Sequence, residues 1–243
     1  MENPHYPVLL VCDHASNFIP NVYDDLGVNP DLLDSHIAWD IGSADVVKAL
    51  SNALEVPAIL CSYSRLLVDC NRALDDSSAF PEFSGGVKIE GNINLSESER
   101  QSRVNNIYWP YHNLIHKQLE YIKSKRAVPA LIAIHTFTPE MNGKKRPWHL
   151  GLLWDKDQRL FKPLMKRLSS EGDTFVGDNQ PYSGKEPGDF TLDHHAEDLG
   201  FPHVGIEIRQ DLVSSKSKAI QFANLLASAL EDILKDEKLY SYR

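Results

Sequence analysis

Four polar stretches, each directly following an apolar run, hold the side chains with the most chemistry in this sequence. Leu9-Leu10-Val11 leads into Cys12-Asp13-His14, and Leu66-Leu67-Val68 leads into Asp69-Cys70-Asn71-Arg72. Leu131 to Ile134 leads into His135-Thr136, and Val204-Gly205-Ile206 leads into Glu207-Ile208-Arg209. Neutral imidazoles at two such points suit a borderline metal such as zinc, or another divalent ion. A catalytic zinc takes three protein ligands and keeps one position open, so His14 and His135 need an acid or a further histidine beside them. Asp40, in Ala38-Trp39-Asp40-Ile41-Gly42, is the candidate, although at a predicted helix start it would serve equally well as a cap. Zinc lowers the pKa of its water to about 7, and Glu207 is placed to take and return the proton. Arg72 offers a planar fork to a carboxylate, with Asn71 donating beside it.

Each of these residues has a plainer explanation when taken singly. A strand-end histidine is more often hydrogen-bonded scaffold, and Glu207 with Arg209 could be a structural ion pair. Their joint occurrence carries the argument. The remaining histidines carry less. His112 and His116 are spaced i, i+4 without the glutamate of a HExxH motif, so a packed or solvated helix face is the better reading. His195, in a predicted helix after the loop Pro181-Tyr182-Ser183-Gly184, is a candidate substrate contact, as is Tyr182. Cys12 reads as inert packing. Neither a glycine-rich phosphate loop nor a GxSxG elbow occurs, which leaves nucleotide binding and serine hydrolysis without a signal.

Strand-like and helix-like segments alternate, and these must position the polar residues. Strands are expected over Pro7 to Val11, Ala58 to Ser62, Leu66 to Val68, Ala130 to Ile134, His149 to Trp154 and Val204 to Ile208. Helices are expected over Ile41 to Leu54, from the capping box Ser96-x-x-Glu99 to about Lys125 with a kink at Pro110, over Asp157 to Ser170, and over Lys216 to Lys235. Residues 75 to 95, rich in Gly, Ser, Asn and Asp, read as one long loop and a candidate lid. The alternation predicts a three-layer αβα domain over residues 1–243, with a mostly parallel or mixed central sheet. Ligands of such sheets lie beyond the carboxyl ends of the strands, where the four polar stretches fall.

The net charge of −9 argues against nucleic acid as a partner, since phosphate binding needs a basic face. An anionic small molecule stays compatible, because one arginine in a pocket dominates locally. Three cysteines without a CxxC pair suggest a reducing compartment. The N-terminus lacks a signal-peptide pattern and no window is apolar enough to span a membrane, so a cytoplasmic location is expected. Oligomeric state leaves no trace in the sequence.

The strings CDHASNFIP, HIAWDIGSADV, YSRLLVDCNRAL, WPYHNLIH, AIHTFTP, GDNQPYSG and GFPHVGIEIRQDL together resemble the N-formylglutamate amidohydrolase family, from Cys12 to Leu212. The resemblance implies a fold of the zinc-exopeptidase type, similar to zinc carboxypeptidases and aspartoacylase. It implies one zinc per chain held through His14 and His135, with Glu207 as the catalytic glutamate. Asn71 and Arg72 would hold a substrate carboxylate, and Arg65 would be a further substrate arginine. One departure stands out: carboxypeptidase-like sites have His-x-x-Glu, and here that fourth position is Asn17, a poor zinc ligand. The expected activity is hydrolysis of an N-acyl amino acid amide of the N-formyl-L-glutamate type. Two alternatives remain: a carboxypeptidase-like hydrolase of another N-acyl or peptidyl carboxylate, and a non-catalytic carboxylate-binding module with a degenerate metal site.

Overall fold

Alternate residues of the central strands bury into two separate cores, which is why the strand runs read as continuously apolar. In β1 (Val8–Cys12), Val8, Leu10 and Cys12 join one core while Leu9 and Val11 join the other. The structure, a computed structural model, describes residues 6–125, 128–170, 172, 174–186 and 188–242. The first five and the last residue of the expected 1–243 domain thus lie outside the described residues.

The other strands are β2 (Ala58–Leu60), the hairpin β3 (Phe83–Ser84) and β4 (Val87–Lys88), β5 (Ala130–Phe137), the hairpin β6 (Glu140–Met141) and β7 (Lys144–Lys145), β8 (Leu150–Leu153), β9 (Val176–Asp178) and β10 (His203–Arg209). Six of them form one mixed sheet in the order β2-β1-β5-β10-β8-β9. β10 pairs antiparallel with β8, and the other neighbours are parallel. The helices are α1 (Pro30–Leu33), α2 (Ser43–Leu54), α3 (Glu97–Arg103), α4 (Trp109–Lys125), α5 (Phe161–Ser169), α6 (Phe190–Leu192) and α7 (Lys216–Leu234). Val46 and Leu50 of α2, Leu164 of α5 and Leu226 of α7 cover one face of the sheet, packing on Leu10, Ile132 and Ile206. Tyr108, Ile115 and Leu119 cover the other, against Leu9, Val11 and Leu131. The αβα layering and mixed sheet expected from the alternation are present.

Two expectations are corrected. Leu66–Val68 is no strand: its residues form a buried turn, with Leu67 N donating to Ser64 O at 3.1 Å. The run is apolar because the turn packs inside the second core, and an apolar run of three cannot by itself separate the two cases. Residues 75–95 are not one loop either. They fold into two 3₁₀ turns and the β3–β4 hairpin, whose Gly85 and Gly86 both have positive φ, as a tight hairpin turn requires. Arg103, fully buried, clamps this segment by donating to Leu67 O, Gly91 O and Asn92 Oδ1. Ser96 caps α3 as predicted, accepting from Glu99 N. The long helix meets Pro110 with a π turn over Val104–Tyr108, at the carbonyl four residues back that the proline ring would crowd.

Candidate active site

Side chains from two strands and from the turns after β1, after β2 and before α2 meet toward the carboxyl ends of β1, β5 and β10. β5 and β10 run further than their apolar runs suggest, so His135 and Glu207 lie within the strands and pair directly across them. Ile134 and Ile206 face the α2/α7 core, so His135 and Glu207 project from the opposite face. His14 follows β1 directly. Asp40 lies in the turn before α2, and its side chain does not cap that helix. The cap position is Gly42, at φ 84°, where a Cβ would come within 2.4 Å of Val213 O. Only glycine fits there, and it lets the chain turn Asp40 inward. Arg65, Asp69, Asn71 and Arg72 come from the buried turn after β2.

The cluster is closely connected. Asp40 Oδ2 lies 2.9 Å from His135 Nδ1 and 3.4 Å from His14 Nδ1. The outer nitrogens face carboxylates: His14 Nε2 is 2.7 Å from Asp69 Oδ1, and His135 Nε2 is 3.2 Å from Asp13 Oδ2. Arg65 reaches Asp69 at 2.8 Å and Asp40 at 3.4 Å. Burial would raise the Asp40 carboxyl, but the two histidines outweigh it and hold it well below the carboxylate range. Burial likewise opposes charge on His135, yet the nearby Asp13 carboxylate and the bond to Asp40 raise its pKa well above the ordinary value. Asp13, also raised by burial, is brought down to about 2 by His135.

These residues fit a metal. One ligand atom each from His14, Asp40 and His135 lie within 4.8 Å of one another, all buried. A carboxylate faces the outer nitrogen of each histidine, the arrangement that orients histidines toward a metal. Asn17 is not part of the cluster; its amide donates to Leu33 O and Asp34 Oδ1. The carboxylate beside the two histidines is that of Asp40.

Glu207 stands beside this cluster, 7% exposed, and its Oε2 has no hydrogen-bond partner among the described residues. Burial pushes its pKa up to about 7. A buried carboxyl poised near neutrality, with one oxygen left free, is suited to proton transfer. Arg209 does not pair with it and binds Asp211 at 2.7 Å instead.

A cavity of about 450 Å³ opens over these groups, lined by His14, Asp40, Arg65, Asn71, Arg72, His135 and Glu207 among others. Arg72 is anchored by donating to Asn71 O and Gly188 O. Asn71 Oδ1 accepts from Thr191 N, which fixes the amide and leaves Nδ2 without a protein partner among the described residues. Tyr182 lines the cavity as well, but His195 does not. His195 is buried, with Nε2 3.0 Å from His112 Nδ1, and His112 Nε2 bonds Cys70 O. Burial lowers these rings to about 3 and about 4, keeping both neutral. Sequence reasoning missed Asp13 and Asp69, whose signal was adjacency to His14 and to Asn71-Arg72. It also missed Asp189, a buried cavity residue whose pKa is raised by burial and which nothing in the sequence marked out.

The model of the N-formylglutamate amidohydrolase family matches residues 6–214 of this sequence. The chain belongs to the N-formylglutamate amidohydrolase family. It is therefore grouped with hydrolases of linear amides. The fold is similar to the crystal structure of gene product Atu2144 from Agrobacterium tumefaciens, with a TM-score of 0.92 and 33% identity over 98% of this chain and 94% of that one. It is also similar to N-formylglutamate amidohydrolase from Ralstonia eutropha JMP134, with a TM-score of 0.64 and 19% identity over 98% and 95% of the two chains. No match was found among curated proteins. No helix among the described residues is long and apolar enough to cross a membrane.

Proposed function

We propose that this protein hydrolyses the amide of an N-acyl amino acid of the N-formyl-L-glutamate type, using a divalent metal, zinc by preference. The observation that carries the proposal is the buried His14–Asp40–His135 cluster beside Glu207, whose Oε2 has no hydrogen-bond partner among the described residues. His14, Asp40 and His135 would hold the ion, with Asp69 and Asp13 fixing the two rings. A bound zinc supplies acidification of water and polarisation of a carbonyl oxygen.

The chain's own residues do the rest. Arg72 and Asn71 Nδ2 bind the substrate carboxylate and so orient the scissile amide toward Glu207. Glu207, ionised above about pH 7, takes a proton from the attacking water. Once protonated, it delivers that proton to the leaving nitrogen, and the amide and water become formate and the free amino acid. Arg65, already bound to Asp40 and Asp69, adds positive charge where the amide oxygen becomes negative.

The binding-module alternative drew on Asn17, and with Asp40 in the cluster nothing favours it. The carboxypeptidase-like alternative differs only in substrate. The test is release of formate and L-glutamate from N-formyl-L-glutamate by zinc-supplied protein, against a panel of N-acetyl and dipeptide substrates. Faster turnover of a panel member would transfer the assignment to it, and folded protein inactive on every one would defeat the proposal.

A further inference from the structure

The two carboxylates that face the histidines are held by different means. Asp69 Oδ1 accepts from Asn71 N at 2.9 Å within its own turn, and Asp69 Oδ2 takes the Arg65 guanidinium at 2.8 Å. Asp13 has neither kind of bond among the described residues. It is 1% exposed, its Oδ2 faces His135 Nε2 at 3.2 Å, and its Oδ1 accepts from Thr191 Oγ1 at 2.6 Å. Among the described residues that hydroxyl is the hydrogen-bond donor to the Asp13 carboxylate, and it comes from 178 residues further along the chain.

Thr191 is itself held firmly. It is fully buried in α6, and the first amides of a helix have no acceptor inside it. Asn71 supplies two of the missing acceptors: its backbone O takes Phe190 N at 3.4 Å, and its Oδ1 takes Thr191 N at 3.0 Å. Asp189 Oδ1 takes Leu192 N at 3.2 Å. The backbone of Thr191 is thus tied to the Asn71 turn, while its β-branched side chain, restricted about χ1, directs the hydroxyl at Asp13. A carboxylate is planar, so a bond that fixes Oδ1 also sets where Oδ2 points. Bonds to a charged acceptor are among the stronger ones, and at this burial water does not compete for it.

We propose that Thr191 is a positioning residue for the metal centre: its hydroxyl fixes Asp13, Asp13 fixes the His135 ring, and Nδ1 of that ring is thereby presented to the ion beside Asp40. The proposal rests on the metal reading of His14, Asp40 and His135 given above. Valine has the shape of threonine with a methyl in place of the hydroxyl, so Thr191→Val removes the bond to Asp13 and leaves the amide bond to Asn71.

The test is zinc affinity, read by competition with a chromophoric chelator on the full-length protein without substrate. Thr191→Val is expected to raise the zinc Kd about 10-fold, the lower end of what loss of an outer partner of a metal-bound histidine costs. Thr191→Ser keeps the hydroxyl and is expected to stay within about threefold of the wild type. Thr191→Ala puts no methyl against the carboxylate and is expected to behave as the valine variant does, so the comparison survives should valine unfold the protein. In Asp13→Ala protein, adding Thr191→Val is expected to change the Kd by less than about twofold, because the carboxylate it acts on is gone. Wild-type affinity in both the valine and alanine variants would overturn the proposal and leave the metal reading standing. A loss that serine does not restore, or that recurs in full in Asp13→Ala protein, would also overturn it, since it would mark a general loosening of α6. A wild type that binds no zinc would overturn the metal reading and this proposal with it.

Discussion

Replacing Glu207 with glutamine keeps the side chain's shape and removes only its ability to ionise. Two effects of opposite sign follow. Turnover falls, because the group that accepts and returns the proton is lost; general acid–base catalysis contributes about 10²- to 10⁴-fold, or about 3–5 kcal/mol of barrier. Stability of the metal-free protein rises. The folded-state pKa of about 7 lies above the ordinary 4.5, so the fold disfavours the ionised form. That cost is absent below about pH 4.5, grows as pH rises, and is complete above about pH 7. The gap corresponds to about 3 kcal/mol, an upper limit for what Glu207→Gln recovers at pH 8. Thermal unfolding of chelator-treated protein at pH 8 and pH 4.5 reads the second effect, and kcat with zinc reads the first. The expected pattern is lost turnover, a higher Tm at pH 8 and no gain at pH 4.5. A variant that is destabilised at pH 8 would show that Glu207 is a satisfied structural carboxylate, and near-normal kcat would refute its role as base.

Three further outcomes follow from the same geometry. Arg72→Ala is expected to raise KM for carboxylate-bearing substrates about 10- to 100-fold with a smaller effect on kcat, and an unchanged KM in steady-state assays would contradict its role. Gly42→Ala, forced to adopt φ 84° with its Cβ 2.4 Å from Val213 O, is expected to cost about 2 kcal/mol or more in denaturant unfolding, and an unshifted midpoint would contradict the close approach. His112 and His195, depressed to about 4 and about 3 by burial, contribute stability that is complete above about pH 6.5 and is lost as pH falls toward those values. Their ring protons should not titrate above about pH 5 by NMR, and a midpoint near 6.5 for either would contradict the buried neutral pair.

The site was legible in the sequence wherever a polar residue directly followed an apolar strand. His14, His135 and Glu207 meet because β1, β5 and β10 are parallel neighbours, and their carboxyl ends coincide once the sheet forms. Asp40 could be named but not distinguished from a helix cap, since a turn residue's direction depends on a distant contact, here Gly42 against Val213. The turn at Leu66–Val68 was misread because burial, which makes a run apolar, does not require a strand. His195 looked like a substrate contact from its place after a loop, but its partner, His112, is 83 residues away in sequence and invisible to local pattern. Asp13 and Asp69 were passed over because a carboxylate that orients a histidine has no spacing rule of its own.

The central claim is that His14, Asp40 and His135 hold a metal that the hydrolysis requires. Metal analysis of purified, zinc-supplied protein tests it most directly, with His14→Ala and Asp40→Ala beside the wild type. The account predicts about one zinc per chain in the wild type and loss of it in both variants, with the variants still folded. A well-folded wild type that binds no zinc, or an Asp40→Ala variant that keeps its full complement, would contradict it.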